Sequence, residues 1–111
     1  MPWNKVIGCP DYMGVNWIHP LKQRDVAKAV SYIVDNRIPI KALAVFGSAV
    51  NSRCRIDSDI DFVVWKDDGV RLTLPLENYD LLIANYISKT SELWKDICNE
   101  GVVVYVSDIK E

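Results

Sequence analysis

Four short apolar runs, Ile40 to Phe46, Ile60 to Trp65, Tyr79 to Ala84 and Val102 to Val106, are spaced along this chain of 111 residues. Each has the length of a strand rather than a helix and is bounded by turn-forming or acidic residues. Ile60 to Trp65 is apolar on both faces after its acidic start, which predicts a central strand. Two other stretches carry a helical period. The first starts at Pro20, with Asp25 near its N-terminus; Val26, Val30, Ile33, Val34 and Arg37 share a stripe, and Pro39 stops it. The second, Ser88 to Glu100, has Ser88 as its cap, a stripe of Trp94, Ile97 and Cys98, and Gly101 just beyond its end. Val70 to Leu76 reads either as irregular or as a short edge strand, given Pro75. The order of elements predicts an α+β fold: a small mixed β-sheet with helices packed mainly on one face.

Residues 1–20 show no period and are broken by Pro2, Gly8, Pro10, Gly14 and Pro20. They read as an N-terminal arm folded back through Trp3, Tyr12 and Trp17, ahead of a single domain over residues 21–111. Half of the residues are hydrophobic and a quarter charged, which excludes a disordered chain. A net charge of −2 argues against stable nucleic-acid binding. No apolar run approaches the ~20 residues of a membrane span. The start has no signal-peptide core, so a cytoplasmic location is expected. Cys9, Cys54 and Cys98 are odd in number and far apart, spelling neither a disulfide framework nor a zinc motif, which suits a reducing compartment. Cys54 reads as a surface thiol and His19, the one histidine, as a surface or capping residue; nothing supports a Ser–His–Asp hydrolase.

The chemistry lies in Gly47-Ser48, ten further residues, and Asp59-Ile60-Asp61. Side chains alternate along a strand, so Asp59 and Asp61 share a face. Two adjacent carboxylates repel one another, and Mg2+, which takes a few carboxylate oxygens together with phosphate and water, offsets that repulsion. Alone, an Asp-x-Asp pair is a solvated strand end and a Gly-Ser pair an ordinary turn. Together they place a tight turn with a hydroxyl and backbone N–H groups, suited to phosphate, near a pair of metal ligands. Asp80 opens another apolar strand; if that strand lies beside Ile60 to Trp65, Asp80 faces Asp59 and Asp61, and otherwise it caps its own strand. Three carboxylates around two metal ions suit phosphoryl or nucleotidyl transfer.

This pattern resembles the DNA polymerase β-like nucleotidyltransferase superfamily, and within it the minimal nucleotidyltransferases. Ser58-Asp59-Ile60-Asp61 and the ending Glu100-Gly101-Val102-Val103-Val104-Tyr105 are similar to the wording of those short proteins. The resemblance implies that Gly47 and Ser48 bind the triphosphate of ATP and that Asp59, Asp61 and Asp80 are catalytic and hold two Mg2+ ions. Ala49 stands where relatives often carry a base. Arg53 and Arg55 lie in the next loop, either replacing that charge, with Arg55 binding the nucleotide, or simply solvated. The interval from Asp61 to Asp80 is shorter than usual, leaving little room for the helix expected there.

Minimal nucleotidyltransferases pair with small helical HEPN-domain proteins, often as antitoxins that add AMP to a tyrosine of a HEPN toxin. The chain is therefore expected to transfer AMP from ATP to a hydroxyl of a HEPN-type partner protein, Asp80 helping to activate that hydroxyl. The alternative is a non-catalytic antitoxin or scaffold that neutralises its partner by contact.

Overall fold

The computed structural model describes residues 18–50 and 53–107. The expected arm, with Trp3, Tyr12 and Trp17, lies outside the described residues apart from 18–20. Helix α1 runs Pro20–Asp35, with proline in its first turn and His19 as its cap, Nδ1 accepting the Leu21 N–H at 3.1 Å. It buries Val26, Ala29 and Ile33, whereas Val34 is 54 % exposed. The helix ends before Pro39 can stop it. Arg37 has a φ of 50°, its N–H donates to Val34 O and the Ile38 N–H donates to Ile33 O, a Schellman closure with arginine in the left-handed position. Arg37 therefore lies past the stripe on which its spacing placed it.

Strands β1 (Ala42–Phe46), β2 (Ile60–Trp65), β3 (Tyr79–Ile83) and β4 (Val102–Val106) form a mixed sheet in the order β3-β2-β1-β4. β1 is antiparallel to β2 and to β4, with a register shift against β4 between Leu43 and Ala44, and β2 is parallel to β3. The link from β2 to β3 contains no helix. Its Val70, Leu72, Leu74 and Leu76 are irregular and pack at alternate positions against the core, and the Leu74 N–H donates to Tyr79 Oη at 3.0 Å.

Helix α2, Glu92–Glu100, starts later than its sequence suggests. Ser91 Oγ accepts the Trp94 N–H at 3.1 Å and also donates to Ser88 O at 2.6 Å, so Ser88 belongs to the preceding turn and Ser91 is the cap. Gly101 is extended, with a φ of −61°, and leads straight into β4.

The two helices divide between the faces of the sheet. Leu43, Val45, Ile60, Phe62, Val64, Val102 and Val104 meet Val26, Ala29 and Ile33 of α1. Ala44, Phe46, Val63 and Val103 meet Trp94, Ile97 and Cys98 of α2. The sheet is thus covered on both sides, not mainly on one, which is why β2 needs apolar residues at odd and even positions. Cys54 is buried, at 8 % exposure, and is a free thiol. Cys98 is disulfide-bonded, whereas the spacing of the cysteines suited a reducing compartment. Among the described residues no helix is long and apolar enough to cross a membrane.

Candidate active site

At one end of the sheet, Phe46 pairs with Asp61, and Asp61 with Asp80, making a row across β1, β2 and β3. Alternation puts Asp61 on the face of Val63, and Asp80 on the face of Leu82; both belong to the α2 side. Asp59, two residues before Asp61 and just ahead of β2, extends the same side. Asp59 and Asp80 are exposed, and Asp61 is half-buried.

The effect of this crowding falls on Asp61. Burial pushes the Asp61 carboxyl above its ordinary range; repulsion from Asp80, then from Asp59, and a hydrogen bond to Asp80 push it further the same way.

Gly47 follows Phe46 directly, with a φ of 76°, and starts a 3₁₀ turn, Gly47–Val50, that holds the half-buried Ser48. A Cβ added at Gly47 would overlap Asp61 Oδ2 and lie 3.3 Å from Asp61 Cγ. Glycine is required there twice, for the left-handed backbone and for the close approach of the carboxylate.

The structure thus brings Gly47, Asp61 and Asp80 together, with Ser48 beside Gly47 and Asp59 within electrostatic reach. It does not bring in Arg55, which is exposed in the turn before β2; its backbone N–H donates to Ser58 Oγ at 3.0 Å, and its guanidinium forms no ion pair with the three aspartates. Ala49, where a base is common, is buried.

The donor set fits a divalent ion. Carboxylate oxygens are hard ligands, and Mg2+ ordinarily takes only a few from protein while keeping sites for phosphate and water. Among the described residues no three His, Cys, Asp or Glu side chains are gathered closely enough to hold a metal ion together, so Asp59, Asp61 and Asp80 do not form a single ready-made ligand set. None of the cavities of about 290, 450 and 500 Å³ has Asp59, Asp61 or Asp80 in its wall, although the smallest is lined by Ser58, next to Asp59.

One residue of this region escaped the sequence reading. Lys22 of α1 is 5 % exposed and donates to Ile56 O at 3.2 Å and Ser58 O at 2.6 Å. Its spacing, four residues before Val26 on the buried stripe, was the available signal.

Comparison with curated proteins and with solved structures returned no match. The sequence does match the family described as Polymerase beta, Nucleotidyltransferase over residues 28–110, which includes Gly47, Ser48, Asp59, Asp61 and Asp80. The match takes in most of the chain and every strand of the sheet, and the chain belongs to the polymerase β-like nucleotidyltransferase family.

Proposed function

We propose that this nucleotidyltransferase moves AMP from ATP to a hydroxyl of a partner protein and serves as the antitoxin of a HEPN-type toxin. The observation that carries the reaction is the adjacency of Asp61 and Asp80 beside the Gly47 turn. Gly47 and Ser48 bind the triphosphate through backbone N–H groups and the serine hydroxyl. Asp59, Asp61 and Asp80 would hold up to two Mg2+ ions, which when bound neutralise phosphate charge. Asp80, exposed at the start of an edge strand, is open to an incoming acceptor and takes its proton as the acceptor oxygen displaces pyrophosphate from the α-phosphorus. The protein acceptor is supported by the acidic balance, with a pI near 5.3, and by the resemblance to minimal nucleotidyltransferases.

A second reading, a scaffold that neutralises by contact, is favoured by buried Ala49 and by an exposed Arg55 that forms no ion pair with the aspartates. Mass spectrometry of the chain mixed with a HEPN-domain partner, ATP and Mg2+ separates the two. Transfer adds whole AMP units to the partner, whereas neutralisation without any gain in mass supports the scaffold.

A further inference from the structure

The first turn of α1 reaches both loops that flank the aspartates. On one side the His19 N–H donates to Ala49 O at 2.7 Å, holding the 3₁₀ turn after β1. On the other, Lys22 Nζ holds Ile56 O and Ser58 O, two carbonyls of the turn that leads to Asp59. That turn is closed on itself by Ser58 N–H to Arg55 O at 3.1 Å and by Arg55 N–H to Ser58 Oγ. Beyond Asp59, the Ile60 N–H donates to Asn78 O at 3.2 Å. The backbone carrying Asp59 is therefore anchored on both sides, to α1 through Ser58 O and to the start of β3 through Ile60.

We infer that Lys22 is a positioning residue that fixes Asp59 beside Asp61 by clamping the turn that precedes it. This rests on the reading of the aspartates as a metal site. The stripe position of Lys22 suits an apolar side chain, and a buried ammonium is costly unless its donors are used. Here they go to backbone carbonyls of one turn, and an ammonium, with three donors on one atom, can gather several inward-pointing carbonyls. Removing it leaves those carbonyls without their donor and frees the turn. Asp59 is exposed and depends on its backbone for its place.

The test is Mn2+ binding, followed by electron paramagnetic resonance of the free ion, on the intact chain. Lys22→Met keeps most of the stem and removes the clamp, and should weaken Mn2+ binding roughly tenfold, the scale of a lost outer-shell support. In an Asp59→Asn background the same substitution should weaken binding no further, because the residue it acts through is already disabled. Wild-type affinity in Lys22→Met, or an equal further loss in the Asp59→Asn background, would overturn the assignment. If Lys22→Met does not fold, Lys22→Ala, which likewise removes every donor, is put through the same comparison with the same two criteria. Wild-type Mn2+ binding that is lost in Asp61→Asn but untouched by Lys22 substitution removes the clamp and leaves the metal-site reading standing. Absence of Mn2+ binding in the wild type removes both.

Discussion

Asp61 and Asp80 stand opposite one another on adjacent parallel strands, and the Asp80 carboxylate adds to burial in making Asp61 harder to ionise without a counter-charge. Nothing in the packing of a sheet requires two acids in register at the same end. The arrangement costs the fold stability at neutral pH, and a bound cation would return it.

Asp61→Asn should accordingly make the metal-free chain as stable as the wild type or more so at neutral pH. The gain should be about 0–1 kcal/mol, since the group is only half-buried and solvent screens it. The raised carboxyl contributes its favourable, protonated state fully below the ordinary value of about 3.9, and that contribution is lost as pH rises through the raised one. The gap between variant and wild type should therefore close as pH falls toward about 4. Urea melts at both pH values measure it, and a loss of more than about 2 kcal/mol at neutral pH would mean that the carboxylate holds the fold together.

Gly47→Ala should cost about 1–2 kcal/mol for the left-handed backbone and displace Asp61, whose Oδ2 occupies the space of the new methyl. Metal-dependent ATP binding should weaken by at least roughly tenfold. Gly69→Ala is the control, because nothing lies within 4 Å of a Cβ there, and calorimetry on both variants should show the contrast.

Asp80→Asn should slow transfer to the partner by about a hundredfold or more, the usual scale of a lost acid or base. Binding of ATP with Mg2+, held mainly by Gly47, Ser48, Asp59 and Asp61, should change by less than about threefold, under 1 kcal/mol. Transfer at the wild-type rate would reduce Asp80 to a strand cap.

Arg37→Gly should stabilise the chain by about 0.5–1 kcal/mol, relieving a non-glycine residue at a left-handed helix end. Thermal unfolding reads it directly, and transfer should be unchanged because Arg37 follows the C-terminal end of α1, whereas it is the first turn of α1 that bonds the loops beside the aspartates. A lower melting temperature would show that the arginine side chain holds that end of the helix.

The strands were legible because short apolar runs between turn residues admit little else, and β2 betrayed its central place by being apolar at Phe62 and Val63 alike. What the pattern does not encode is which sheet face a helix stripe will meet, so α1 and α2 were placed mainly on one side although each covers its own. Ser88 and Ser91 are equally good caps locally, and the Trp94 N–H selected Ser91. The Asp59–Asp61 pair follows from alternation alone. The place of Asp80 depends on a parallel pairing and a register between distant segments, which no local spacing carries. Lys22 was passed over because lysine ordinarily marks a solvated face, although its spacing before Val26 set it on the buried stripe.

The central claim, that Asp59, Asp61 and the Gly47 turn form a metal-dependent nucleotide site, is tested most directly by calorimetric titration of ATP into the intact chain. The titration is run in Mg2+ and then in EDTA, on the wild type and on Asp61→Asn. The account predicts saturable binding by the wild type in Mg2+, at least roughly tenfold weaker binding in EDTA, and the same weakening in Asp61→Asn with Mg2+ present. Equal binding in Mg2+ and EDTA, or an Asp61→Asn variant that binds as the wild type does, would contradict it.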